Sequence, residues 1–353
     1  VSAVPPAAEP WLLADLGGTN VRFALARTAE PAPLVMDSIR AFRVADFPWF
    51  ADAARAYLAQ VGARPRHGVI AAAGPVRGSE VQLTNHAWRI SAPQLEQELG
   101  LDSIRLVNDF AAVSMCLPLL SGADVLALGP PVPVIRQRPG RQTFCVLGPG
   151  TGLGVSGLVV RDALVVGLET EGGHGSFAPT NEEEIAILRH LMARFGRVSD
   201  ERLLCGSGLV NLHQALCAIH GAAPGAGGAD ALAPLPPEEI TARAQRRSDP
   251  LCVRAVQCFC EMLGTVAGDL ALTYGAWDGV YLAGGLLGPL APWLAQGGFR
   301  QRFDGKGRFT QAMAEVPVAL IIHPQPGLLG AAGIAVAAAG GSLLRPGADT
   351  GAH

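Results

Sequence analysis

Lysine is almost missing from this sequence: Lys306 is the only one in 353 residues, so nearly all positive charge is arginine. This excludes a G-x-x-x-x-G-K-[ST] phosphate loop and leaves Lys306 alone able to form a Schiff base. Charge of either sign is sparse, at 16% of residues, and nets only −3 with a pI near 6.3. Such a balance argues against a nucleic-acid groove or an anionic-membrane surface. C-x-x-C pairs are absent too. The seven cysteines (Cys116, Cys145, Cys205, Cys217, Cys252, Cys258 and Cys260) are odd in number and scattered through apolar stretches. They read as reduced thiols of a cytoplasmic protein, not as a disulfide frame or a cysteine-built zinc site. The first residues, VSAVPPAAEPW, lack the basic and apolar regions of a signal peptide, and residues 1–10 are expected to be a flexible extension. Two long charge-free stretches, 279–299 and 324–344, are broken by Gly and Pro. They fit buried strand–turn–helix units better than membrane spans, so a soluble protein is expected.

What is present is enough apolar material for a large interior, 49% of residues with a mean hydropathy of +0.29. The length suggests about two domains. WLLADLGG, VRFALAR and DSIRAFRV read as three strands in hairpin succession, because their connections are too short for crossover helices. A helix over about 47–60, the strand HGVIAAAG, a helix near 91–99, the strand SIRLVNDF and the helix FAAVSMCLPLL follow. The second part repeats this order: TFCVLGPGTGLG runs into a glycine turn, VSGLVV and ALVVGLE continue as strands, and helices come next. In TNEEEIAILRHLMARF, Ile185, Leu188, Leu191, Met192 and Phe195 share a face, with Thr180 or Asn181 able to cap and glutamates three residues on. A helix opening at SDPLCVRAVQ reaches about Gly275, followed by the strand GVYLAGG, a helix, the strand VALIIH and a last helix from LLGAAGIAVAA. The glycine-rich stretch at 221–228 reads as a surface loop. Two half-copies, each opened by a hairpin with a glycine turn, predict two α/β domains around a ligand cleft.

Two motifs carry competing readings on their chemistry alone. Asp15-Leu16-Gly17-Gly18-Thr19-Asn20 is either a hairpin turn capped by its own Asp or a phosphate cradle, since glycine lets backbone amides approach oxyanions. Asn108-Asp109, at the C-terminal end of a strand, is either a helix N-cap or a ligand group of an open α/β sheet. Gly152-x-Gly154-x-x-Gly157, with Glu171 further on, formally fits a dinucleotide fingerprint. That fingerprint must open a helix, and VSGLVVRDALVV reads as two strands, so it is rejected.

LADLGGTNVRFAL, LTNHAW, VNDFAAVSM, GTGLG, EGGHGSFAP, SGLVNL and LAGG occur in this order from about Trp11 through the last helix. Together they resemble bacterial glucokinases of the hexokinase/actin-like ATPase superfamily. The resemblance implies an actin-like, ribonuclease H-like α/β fold with mixed sheets flanking a cleft: a small domain of 11–119 plus 333–348 and a large one of 120–332. It implies transfer of the γ-phosphoryl group of ATP to the 6-hydroxyl of D-glucose, with Mg²⁺, in a cytoplasmic homodimer at the entry of glycolysis. A kinase for another hexose (mannose, glucosamine or fructose) and a non-catalytic sugar sensor of the same fold are the alternatives. For a sensor, residues 1–10 are too few to make the helix-turn-helix that such relatives carry. Nucleotide binding is implied for Asp15, Gly17, Gly18, Thr19, Asn20, Gly150, Thr151, Gly152, Gly284 and Gly285, with Asp15 holding Mg²⁺ directly or through water. Asp109 is implied as the catalytic base, and Asn85, Asn108, Glu171, His174 and Glu201 as further sugar ligands. In the related repressor/kinase branch an EGGH histidine binds zinc with a cysteine cluster; that cluster is absent here, so no zinc is expected. Pro149 departs from the family's small residue in GAGTGLG and lacks an N–H, and Thr170 replaces a glycine before EGGH, which would stiffen that loop.

Overall fold

The computed structural model describes residues 9–82, 88–132, 135, 140–221 and 234–344. Asn85 and nearly all of the 221–228 stretch lie outside them. The first half opens with the hairpin strands β1 (Trp11–Leu16), β2 (Asn20–Ala26) and β3 (Leu34–Arg43). Helix α1 (Phe50–Val61) leads to β4 (His67–Ala72). A three-stranded sheet, β5 (Val76–Arg77), β6 (Glu80–Gln82) and β7 (Arg89–Ser91), is inserted before α2 (Ala92–Leu99). The strand β8 (Ser103–Asn108) then runs directly into α3 (Asp109–Met115). The sheet order is β3-β2-β1-β4-β8, with β1, β4 and β8 parallel and the opening hairpins antiparallel.

The second half repeats the design. After the edge strand β9 (Val125–Ala127), the hairpin strands are β10 (Arg141–Pro149), β11 (Leu153–Arg161) and β12 (Leu164–Glu169). Helices α4 (Glu182–Phe195), α5 (Gly206–Ile219), α6 (Pro237–Gln245) and α7 (Pro250–Tyr274) precede β13 (Gly279–Leu282). Then come α8 (Leu287–Leu294), α9 (Gly298–Asp304), α10 (Thr310–Glu315), β14 (Val318–Ile321) and α11 (Pro326–Ala338). The second sheet has the order β12-β11-β10-β13-β14-β9, so each half places a hairpin beside parallel strands. β11 is a strand, which removes the dinucleotide reading of Gly152–Gly157. Helix α4 is capped by Asn181, whose Oδ1 accepts the Glu184 N–H at 2.9 Å, while Glu184 reaches back to Thr180.

Strand alternation sorts the core into three bodies. Leu12, Ala14 and Leu16 of β1 face α1 and α2 with Phe23 and Tyr57. Cys145 and Leu147 of β10 face the large helices α5, α6 and α7. The opposite faces, with Leu13 and Val69 from the first sheet and Phe144 and Val146 from the second, pack on α3 and α11 between the sheets. These two helices are therefore shared by both halves. The boundary expected at residue 333 falls inside α11, an unbroken helix that starts at Pro326 and packs along its length between the sheets. Helix α7 is long and apolar enough to cross a membrane, but it is mostly buried in the core beneath the second sheet. All seven cysteines are buried and unpaired.

Candidate active site

The alternation that buries Leu13 between the sheets puts Asp15 on the same face, at the end of β1 and against the first turn of α11. Gly327 makes room there: a Cβ at that position would come within 2.9 Å of the Asp15 carboxylate. Arg22, paired in register on β2, lies 3.6 Å from Asp15 Oδ2. Burial pushes the Asp15 carboxyl above the usual carboxylate range, with Arg22 acting the other way. The turn that follows closes through the Gly17 N–H, which donates to Asn20 O at 3.0 Å. Thr19 and Asn20 are exposed.

The second turn has the same closure, with the Gly150 N–H donating to Gly152 O at 2.8 Å. Gly17 and Gly150 therefore shape their turns and do not offer amides outward. Among the described residues, no protein partner takes the N–H of Gly18, Thr19, Thr151 or Gly152. The cradle is thus smaller than the motifs imply. Gly284, with φ +118°, lies so close to Pro149 that a Cβ would sit 2.4 Å from the Pro149 carbonyl oxygen, whereas Gly285 faces open space. Glu201 locks the second turn: its Oε2 accepts the Leu153 N–H at 2.9 Å and abuts Gly152.

Asn108 and Asp109 stand where β8 meets α3. The Asn108 Oδ1 accepts the Phe110 and Ala111 amides at 2.9 and 3.1 Å, and its Nδ2 donates to Gly74 O. Asn108 is a buried N-cap that has already used its oxygen, so only an amide hydrogen remains for a ligand. Asp109 is different. Burial pushes its carboxyl up to about 7; the Phe110 amide works against this, and the nearby negative charges of Asp15 and Glu171 add to it. Three acidic residues from three elements thus converge, and Phe110 fixes the junction. Its ring packs against the β10–β11 hairpin, where a Cβ at Gly154 would be 1.8 Å from the ring and one at Gly148 would be 2.7 Å away.

Glu171 and His174 flank a short 3-10 turn, and His174 connects the acidic side chains: Nε2 is 3.8 Å from Glu171 Oε2 and Nδ1 is 3.9 Å from Glu201 Oε1. Thr170 ties this loop down by donating to Val155 O at 2.7 Å and accepting from Tyr274 Oη and the Gly172 amide. Asp200 supports it from behind, its N–H on Gly175 O, its carboxyl pushed up to about 7 by burial and Asp269, with Arg197 opposing.

Two glycine turns, a carboxylate held near neutrality and an acidic cluster open to solvent are groups suited to phosphates and to hydroxyls. The family model for glucokinase matches residues 12–338. The chain belongs to the glucokinase family. A glucokinase of Stenotrophomonas maltophilia (strain R551-3) is 50% identical over 328 residues, covering 93% of this chain and 95% of that protein. The crystal structure of a glucokinase from an Antarctic psychrotroph is 32% identical with a TM-score of 0.79, covering 92% of this chain and 98% of that one. The ROK-family glucokinase from Streptomyces griseus in complex with glucose and AMPPNP is 20% identical with a TM-score of 0.60, covering 92% and 98%, and shares the actin-like ATPase fold.

Of the residues expected at the glucokinase-family site, all but Asn85 lie within the described residues. Phe110, Gly327 and Asp200 escaped sequence reasoning. For Gly327 and Phe110 the signal was weak, a Pro-Gly helix start and an aromatic after Asn-Asp; Asp200 had only its position beside Glu201.

Proposed function

We propose that the chain transfers the γ-phosphoryl group of ATP to the 6-hydroxyl of D-glucose, giving glucose 6-phosphate and ADP. The observation that carries this reading is Asp109, a buried carboxylate pushed up to about 7 with Asp15 and Glu171 nearby. A general base works best when its pKa lies near the working pH. Glucose would be held by Glu171, His174, Glu201, Asn85 and the free amide hydrogen of Asn108. Carboxylates suit adjacent hydroxyls because each accepts two hydrogen bonds. Asp109 Oδ accepts the 6-hydroxyl proton while O6 bonds to the γ-phosphorus and the bond to the β,γ-bridging oxygen breaks. The amides of Gly18, Thr19, Thr151 and Gly152 face the charge that develops on the phosphates. Gly284 and Gly285 leave bare backbone for the adenosine.

Asp15 suits Mg²⁺: it is a hard oxygen donor left uncovered by Gly327, in an acidic cluster whose close arginine or lysine, among the described residues, is the half-exposed Arg22. Bound there directly or through water, Mg²⁺ would neutralise phosphate charge. The two sheets would act as domains that close over the sugar and exclude water. A homodimer in the cytoplasm, serving the entry of glycolysis, belongs to the same proposal and is supported by the family resemblance.

The test is ADP release in a coupled assay with Mg-ATP over glucose, mannose, glucosamine and fructose. Turnover with glucose, above the other three, is expected. Preference for another hexose would move the assignment to that sugar; glucose binding without ADP release from any sugar would make the chain a sensor.

A further inference from the structure

Beneath the second sheet, away from the cleft, α5 and α7 bring together four side chains that phosphoryl transfer does not use. His213 and Cys217 are one turn apart on the same face of α5. Asp249 is the N-cap of α7, and Cys252 follows in its first turn. Ligand atoms of His213, Asp249 and Cys252 all lie within 4.8 Å of one another. The Cys217 Sγ is 3.7 Å from His213 Nε2. His213, Cys217 and Cys252 are almost wholly shielded, at 2%, 2% and 0% exposure. Among the described residues, the His213 ring nitrogens have no hydrogen-bond partner except the Cys217 sulfur, a weak one for a buried imidazole.

We infer that His213, Asp249 and Cys252, joined by Cys217 from its place beside the His213 ring, form a structural site for a divalent cation of the zinc class, pinning α5 to α7. Two sulfurs, one imidazole nitrogen and one carboxylate oxygen match the tetrahedral donor set that zinc takes, and they disfavour Mg²⁺, which prefers oxygen and water. The geometry is prepared on the outer side. Asp249 Oδ1 is committed to the Leu251 and Cys252 amides at 2.9 and 3.2 Å, leaving Oδ2 for a ligand bond. Two thiolates and one carboxylate around a dication leave one negative charge, and Arg243, whose Nε pairs with Glu239 at 2.6 Å while Nη1 stands 3.9 Å from Asp249 Oδ2, offsets part of it. Binding would release the two thiol protons to solvent. A zinc-class cation here runs against the sequence-based expectation that this chain holds no zinc: Cys217 and Cys252 are far apart in sequence and meet only where α5 and α7 pack.

The test is refolding of the full chain from denaturant under reducing conditions with Co²⁺ as the probe, followed by metal analysis and absorption spectroscopy. One Co²⁺ per chain is expected, with the visible bands of a tetrahedral ion and a near-ultraviolet sulfur-to-cobalt band, all erased by added Zn²⁺. The Cys217→Ser/Cys252→Ser variant should lose the sulfur band, and His213→Ala should weaken binding by at least about tenfold. Circular dichroism of each variant separates loss of the site from loss of the fold. A wild-type chain that refolds without a sulfur-to-cobalt band would overturn the proposal, whatever the variants do. So would a band that persists in the double variant.

Discussion

Strands β1 and β10 occupy corresponding places in sheets of the same order, yet they end differently. Each alternates side chains between an outer core and the layer shared by the sheets. On the shared side β1 ends in Asp15, facing Gly327, and β10 ends in Gly148, facing Phe110. One strand delivers a charge to the cleft. The other delivers bare backbone, and the space goes to an aromatic ring next to the proposed base. The turns differ in the same sense: the first leaves Thr19 and Asn20 exposed, while the second is held by Glu201 and by Gly206, whose N–H donates to Gly150 O at 3.0 Å. A duplicated scaffold has thus divided its labour, charge on one side and rigid positioning on the other.

Breaking the charged side should have the largest effect. Asp15→Asn is expected to lower kcat/KM for Mg-ATP by about 10²–10³-fold, with little change in thermal stability, measured by the coupled assay and a melt. Breaking the rigid side should act through stability as well. Gly154→Ala places a methyl group inside the Phe110 ring and should cost about 1–3 kcal/mol in denaturant unfolding, together with a fall in kcat. Phe110→Ala in that background should recover part of the stability but not the turnover. Gly17→Ala sharpens the contrast: its Cβ would meet only Asn20 O at 3.6 Å, so a stability change within about 0.5 kcal/mol is expected. The smallest effect concerns pH. Asp109 and Asp200 hold protons in the folded chain up to about 7, against 3.8 for an ordinary Asp. The folded state thus binds more protons than the unfolded one between these values, and these groups lower stability as pH rises through that window. Asp200→Asn should flatten that slope in melts of the metal-free protein.

The hairpins, the strand–helix alternation and the buried glycine-rich units were legible because hydrophobic period and turn chemistry are local. Asp15, Asp109, Glu171 and His174 were legible only as an ordered set of motifs. Each alone has an ordinary structural reading, and Asn108 fulfils that reading in full as an N-cap. What the residues could not announce depends on contacts distant in sequence. Gly327 approaches Asp15 from over 300 positions away, and Phe110 meets Gly148 and Gly154 across the sheets. The use of the Gly17 and Gly150 amides inside their own turns also escapes a motif, which records glycine but not where its N–H points. The short sheet β5-β6-β7 was missed because its strands are only two or three residues long.

On the proposed mechanism Asp109 takes the sugar proton from a position where burial, aided by the charges of Asp15 and Glu171, holds its own proton near neutrality. The pH dependence of kcat/KM for glucose, in wild type and in Glu171→Gln, tests it most directly. Activity should fall on an acidic limb whose midpoint lies well above 3.8 and towards about 7, and the limb should move to lower pH when the Glu171 charge is removed. An acidic limb at ordinary carboxylate pH would contradict the assignment.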